Sequence, residues 1–243
     1  MKFDLHIHSC LSPCAALEMS PGEIVRRAIE SGMGGIAVTD HQSARNAEAV
    51  MECARRAGLA CLPGLEVCTA EEVHTLAIFD TVEQAMAMTE WVYAALPKRV
   101  NDPDVFGDQP VVTWDEEIVE MEWRILAMAC RRSISETSEK CRELGGLFVA
   151  AHIDRSTFSV FSQLGGVPAG VHFDAVELSR TADETVWLPK VPGFAAVRSS
   201  DAHNLDDVAR VWAEADIDVF NTGALRRAFA GGDVRISGRL TSF

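Results

Sequence analysis

Histidines and carboxylates recur along this chain at the ends of apolar runs. Phe3-Asp4-Leu5-His6-Ile7-His8 opens the chain, and Ile36-Ala37-Val38-Thr39-Asp40-His41 follows. Glu66 and His74 flank a third pair of apolar runs. Val149-Ala150-Ala151-His152 ends a fourth, and Arg198-Ser199-Ser200-Asp201-Ala202-His203 ends a late one. Only His172, after Pro168-Ala169-Gly170, stands apart and reads as a loop residue. Imidazole and carboxylate side chains in such company are ligand types for first-row divalent cations.

Taken singly, the motifs leave alternatives open. On a strand, His6 and His8 point to one face and can share a cation, but two histidines can also simply be core or surface residues. Asp40 and His41 end a strand as a metal rim requires, and equally suit a helix cap before Ser43. Glu66 could bridge two cations, one per oxygen, while a lone glutamate is usually solvated. Asp201 and His203 follow an apolar strand and precede a helix carrying Val208 and Trp212; Asp201 could be that helix's cap. The joint pattern, ligand types on separate strands at one rim, carries more than any single motif. Arg155, three residues after His152, and Arg180, after the strand containing Glu177, are candidate phosphate contacts or plain surface residues, and Glu177 is similarly ambiguous. Asp40 could orient a ligand or water from behind.

The elements that must position these residues alternate. Residues 2–8 read as a strand. Ser20-Pro21-Gly22-Glu23 reads as a helix start, with Ser as N-cap, Pro at N1 and Glu at N3; Ile24, Val25, Ala28 and Ile29 form its apolar face. A strand at 35–39, a helix over about 44–57 and strands near 59–66 and 73–79 follow. This rhythm predicts a parallel sheet with crossover helices. Residues 82–95 look helical and 97–114 loop-like, and a long helix is predicted over about 115–131 from Ile118, Met121, Ile125 and Met128. Ser133 and Glu136 form a capping box. Strands return at 147–152, 174–178, 194–199 and near 215–220. The expectation is one domain over 1–243 with an insertion at 81–133, a lid or dimer surface without chemistry of its own. Active sites of α/β barrels gather at the rim where most of these ligands fall.

Composition bounds the partners. No apolar stretch of about 18 residues appears, and the N-terminus has no signal-peptide pattern, so no membrane is expected. Seven dispersed cysteines without CxxC point to reduced thiols in a cytoplasm. The net charge is −14, which leads us to expect no extended nucleic-acid binding, since that affinity comes from neutralised phosphates. A small phosphate ester is still compatible, because cations in a cleft reverse the local potential. Lysine supplies only four of the 22 basic residues, and arginine forks suit phosphate oxygens.

With these motifs in order, His6-x-His8, Thr39-Asp40-His41, Gly64-Leu65-Glu66, His74, His152 and Ser200-Asp201-Ala202-His203, the chain resembles the PHP (polymerase and histidinol phosphatase) family. The resemblance covers nearly the whole chain outside the insertion. It implies an α/β fold, a distorted (β/α)7 barrel, with two or three divalent cations (Zn, Mn or Fe) and phosphoester hydrolysis. It also implies a ligand set: His6, His8, Glu66 and Asp201 for one cation, Glu66, His74 and His152 for a second, and His41 and His203 for a third. Many members carry His or Asp where this chain has Cys14, which could ligate a soft cation or be a packed thiol.

The expected function is a metal-dependent phosphatase or phosphodiesterase acting on a small phosphorylated molecule through a metal-activated hydroxide. Glu66, Asp201 and His203 are the candidate catalytic residues. An amidohydrolase-type C–N or C–O hydrolase uses similar clusters, but no obvious candidate for a carbamylated lysine lies on a strand. A non-catalytic, metal-stabilised scaffold module is the other alternative.

Overall fold

The computed structural model describes residues 1–240. Its main sheet begins with β1 (Lys2–Ile7), β2 (Gly35–His41), β3 (Ala60–Cys68) and β4 (His74–Ile78), with helices α1 (Pro21–Glu30) and α2 (Ala47–Ala57) as the first crossovers. A segment containing α3 (Val82–Tyr93), α4 (Pro103–Phe106), β5 (Pro110–Val112) and β6 (Ile118–Met121) intervenes before α5 (Ile134–Glu143) and β7 (Leu147–Ala150). The chain continues through α6 (Val160–Leu164), β8 (Ala175–Leu178), α7 (Glu184–Trp187) and β9 (Ala196–Arg198). It then forms β10 (Ala213–Ala215), α8 (Thr222–Gly231) and β11 (Val234–Ile236). The sheet order is β11-β10-β1-β2-β3-β4-β7-β8-β9, a distorted, nearly closed α/β barrel. No helix among the described residues is long and apolar enough to cross a membrane.

Strand alternation builds the interior. Phe3, Leu5, Ala37, Leu62, Leu76, Ile78, Val149, Ala175 and Val197 form one apolar column, while Ile36, Val38, Leu65, Val67, Phe148 and Val176 face the helices. Ligand-type residues continue the inner faces: Ala37 leads to His41, Leu62 to Glu66, Leu76 back to His74, and Ala175 to Glu177, each by even steps. β1 needs one correction to join them. Asp4 pairs with Ile36 and Ile7 with Val38, so β1 carries one extra residue between them. Without that bulge, His6 and His8 would lie on the face opposite Phe3 and Leu5. With it, they turn inward.

The barrel closes along β1 in two halves. Lys2 and Phe3 pair antiparallel with Glu214 and Ala213 of β10. Above the bulge, Ile7 bridges in parallel to Ala202, with His8 N donating to Ala202 O at 3.0 Å. Phe220 plugs the opposite end against Phe3, with ring centroids 5.9 Å apart.

Several sequence expectations are corrected. The sheet is not parallel throughout: β4 runs antiparallel to β3 and β7. Five residues, Thr69–Val73, separate β3 from β4, too few for a crossover. The reversal leaves His74 at the same rim as the ends of its neighbours. The helix expected at 115–131 is instead β6, hydrogen-bonded to β5, followed by irregular chain. Gln109 there takes the place of helical bonds, donating to Glu122 O and Arg124 O and accepting from Leu126 N. The strand expected near 215–220 lies earlier, at β10. The helix expected after His203 is a single 3-10 turn, Leu205–Asp207, so Asp201 caps nothing. In α1, Ile29 is exposed, and Ser20 donates its hydroxyl to Glu116 rather than capping. α2 starts at Ala47 rather than 44. The Ser133–Glu136 capping box is present.

Candidate metal centre

The inward turn of β1 brings His6 Nε2 and His8 Nε2 within 3.1 Å of each other. Asp201 Oδ1 lies 3.2 Å from His8 Nε2 and 3.4 Å from His6 Nε2. It arrives on the loop bridged to Ile7, and Asp4 fastens that loop by accepting from Ser200 N and Ala209 N at 3.0 and 3.2 Å. Burial pushes the Asp4 carboxyl up to about 6 against these bonds, and both of its oxygens are engaged in holding the loop. Asp201 sits in the left-handed region at φ 49, and His152 at φ 26. This conformation is uncommon outside glycine and collects at functional sites.

Glu66 occupies the middle of the cluster. Its Oε1 lies 2.8 Å from His74 Nδ1, 3.1 Å from His152 Nε2 and 3.3 Å from His6 Nε2. Its Oε2 lies 2.8 Å from His41 Nδ1 and 3.6 Å from His8 Nε2. Gly64 makes this position possible, because a Cβ there would stand 2.8 Å from Ala77 O. Burial favours protonated Glu66, but His74, His6 and His41 outweigh it and hold the carboxyl well below its usual range. Asp201 is likewise buried yet held low, by His6, His8 and Arg155. Glu66 Oε2 is buried and makes no hydrogen bond of acceptable angle, despite its close approach to His41. Donor atoms that crowd together without facing one another suit a shared cation.

The backing bonds support the same reading. Ser12 Oγ donates to Asp40 Oδ1 at 2.6 Å, so toward His8 Nδ1, 2.9 Å away, it can only accept. His8 is thereby assigned the Nδ1–H tautomer, with the Nε2 lone pair pointing inward. Glu177 Oε1 does the same for His6 Nδ1 at 3.0 Å, and the Asp201 carbonyl does it for His203 Nδ1 at 2.9 Å. Metal-binding imidazoles are oriented in this way. Three groups of ligand atoms could each hold an ion: His6, His8 and Asp201; His41, Glu66 and His74; and His8, His41 and His203. His152 joins the second group through Glu66.

Other candidates lie around this centre. Cys14 lies beside His41 and His203; burial raises its thiol pKa, but hydrogen bonds to His203 and His41 outweigh this and bring it down to about 6. Asp40 points away from the cluster and holds the Ser9–Ser12 turn through Ser9 N, Ser9 Oγ and Ser12 Oγ. Arg155 pairs with Asp201 Oδ2 and is 42 % exposed. Arg180 pairs with Asp207 at 2.6 Å and is not joined to the imidazoles. Arg198 is fully buried and bonds Ala182 O and Ser237 O. His172 is exposed and pairs with Asp174. Sequence reasoning passed over Ser12 and left Glu177 undecided. A signal existed for Glu177, an acid inside the apolar run Ala175–Leu178, where burial demands a partner.

The 5′-3′ exoribonuclease Rnm of Salmonella typhimurium is 36 % identical over 78 residues, which are 31 % of this chain and 26 % of that protein. The lesion-specific endonuclease PfuEndoQ from Pyrococcus furiosus has the same fold, with a TM-score of 0.70 at 20 % identity, over 97 % of this chain and 57 % of that one. A structure of Endonuclease Q with a 27-mer duplex, an abasic lesion at its active site, gives 0.72 at 18 %, over 95 % and 56 %. The chain thus spans about a quarter of that curated relative and little more than half of these solved chains.

These proteins overturn the expectation that partners are small phosphorylated molecules and that extended nucleic acids are excluded. Endonuclease Q, which contains this fold, takes a 27-mer duplex with an abasic lesion at its active site. Overall charge was the wrong quantity, because the potential that matters is local to the cleft. The sequence pattern of the PHP domain matches residues 4–145, more than half of the chain. With the ordered ligand motifs and the barrel that gathers them, this match establishes that the chain belongs to the PHP domain family.

Proposed function

We propose that this protein is a metal-dependent phosphoesterase that hydrolyses phosphodiester bonds in a nucleic-acid strand. The observation that carries the reading is the convergence of His6, His8, His41, His74, His152, His203, Glu66 and Asp201 on one buried centre, with the outer nitrogens of His6, His8 and His203 fixed from behind. Divalent cations held there would lower the pKa of a water toward about 7 and draw negative charge off the phosphate.

In this proposal, Glu66 would help to hold two cations, and Asp201 would complete the ligand set that His6 and His8 begin. His203, at the outer edge, faces the substrate side. Cys14 would add a thiolate to a cation held by His41 and His203. Arg155, exposed and paired with Asp201, would offer its guanidinium to a phosphate oxygen. Arg180, tied to Asp207, serves the more distant part of the strand. Residues 81–133 are an insertion within a single barrel domain. The nucleic-acid part of the reading is supported by the similarity to an exoribonuclease and to lesion-specific endonucleases, and the ester chemistry by the donor set.

The test is cleavage of short RNA and DNA oligomers by protein of measured metal content. Mn²⁺-dependent cleavage that a chelator abolishes is expected. Metal-loaded protein that cleaves neither oligomers nor simple phosphate diesters would defeat the proposal.

A further inference from the structure

The loop after β7 presents more than Arg155. Phe158 lies three residues further on, with its ring stacked on the imidazole of His74 at 4.7 Å between centroids and 21° between planes. That imidazole is the one 2.8 Å from Glu66. The ring therefore stands at the wall of the candidate metal centre, yet it remains 40 % exposed. Its backbone is in the left-handed region at φ 56, an outlier for a bulky residue. Glycine would relieve that strain, but it would remove the ring.

The surrounding bonds hold the conformation in place. Phe158 O accepts from His74 N at 2.9 Å. Ser159 caps α6 and donates its hydroxyl to Arg155 O at 2.8 Å. Arg155 N in turn donates to His152 O at 3.0 Å. One short loop thus fixes an imidazole directed at Glu66, a guanidinium paired with Asp201 and a half-open aromatic ring. A simple packing role would explain the contact with His74 but not the open ring or the strained backbone that keeps it there.

We propose that Phe158 is a nucleobase-stacking subsite, a platform for a base beside the phosphodiester that Arg155 holds. The inference rests on the nucleic-acid reading above and deepens it. A nucleotide offers an anion and a flat apolar face, and this loop offers a cation and a ring three residues apart. Stacking tolerates any base, since every base has a π-face, so the subsite selects nucleic acid over other phosphate esters without selecting sequence.

The test uses metal-loaded protein with two probes: a five-nucleotide single-stranded oligomer, and the same oligomer without bases on either side of the scissile bond. Phe158→Ala should raise KM for the first probe about ten-fold, within the range set by base–aromatic stacking, and retain metal content. Phe158→Trp should restore KM. With the base-free probe, wild type and Phe158→Ala should converge. Quenching of a 2-aminopurine placed beside the scissile bond should weaken in Phe158→Ala. Phe158→Leu keeps apolar contact with His74, so it serves if the alanine variant fails to fold. Unchanged KM on the first probe overturns the subsite. So does an equal loss on both probes with falling metal content, which would make the ring a support for His74. Wild type that cleaves simple diesters but neither oligomer would overturn the nucleic-acid reading itself, an outcome distinct from the other two.

Discussion

Glu177 Oε1 lies 3.0 Å from His6 Nδ1, and the same oxygen accepts from His152 N at 3.0 Å. One buried carboxylate thus orients ligand-type residues that reach the centre from two different strands.

Glu177→Leu should accordingly weaken divalent-cation affinity by about 10–100-fold, the usual cost of losing an orienting partner behind a metal-bound histidine. Glu177→Gln, which keeps an acceptor oxygen, should lose less. Metal titration followed by calorimetry measures both. Equal, unaltered affinity in the two variants would contradict the role.

Purified protein should carry at least two divalent cations per chain, because Glu66 is shared between ligand groups on both of its oxygens. His8→Ala and Asp201→Ala should each remove most hydrolysis and leave the circular dichroism spectrum of the barrel unchanged. Elemental analysis and turnover at fixed metal load decide the matter, and undiminished turnover in either variant would show the site to lie elsewhere.

Cys14 should be the fastest thiol to alkylate in metal-free protein. Its pKa of about 6 makes it largely thiolate at pH 7, and the rate should rise through a midpoint near that value. Cys10, pushed up to about 12 mainly by burial, should stay inert at the same pH. Bound metal should protect Cys14 if it is a ligand, and Cys14→Ser should then lower the stoichiometry by about one. Mass spectrometry after timed alkylation gives the rates. Equal reactivity of Cys10 and Cys14 would count against the assignment.

Glu122 should govern the acid stability of the segment around β5 and β6. It accepts from Tyr93 Oη at 3.0 Å, Arg45 Nη1 at 3.1 Å and Arg124 Nη1 at 3.0 Å. Burial raises its pKa, but bonds to Arg124 and Tyr93 hold it below the usual range. The lowered folded-state value means that this stabilisation is full above the unfolded pKa of about 4.3 and is lost as pH falls through the folded pKa. Glu122→Gln should cost about 2–3 kcal/mol at pH 7 and flatten the pH dependence below pH 5. Urea melts at pH 7 and pH 4 test both effects.

Much of the centre was legible because ligand types at strand ends are readable from spacing alone. Which face of β1 carries His6 and His8 was not, since it depends on one extra residue between Asp4 and Ile7 that only pairing with β2 reveals. The region after Trp114 misled for a different reason. Ile118, Met121, Ile125 and Met128 keep a helical period, yet Ile118 and Met121 are exposed on a hairpin, and side-chain bonds from Gln109 decide the backbone path. Glu177 and Ser12 support the ligands through contacts 171 and four residues away in sequence, respectively; neither motif nor period encodes such partnerships.

The bridge between Ile7 and Ala202 also has a consequence for biosynthesis. His8 and Asp201 are 193 positions apart, so an emerging polypeptide has only part of the His6–His8–Asp201 group until most of the chain has left the ribosome. Closing so long a loop is slow, and until it closes the early histidines stand beside one another without their carboxylate. Cation capture should therefore be a late event that locks a nearly finished barrel, and C-terminal truncations that remove Asp201 should accumulate as metal-poor, protease-sensitive chains.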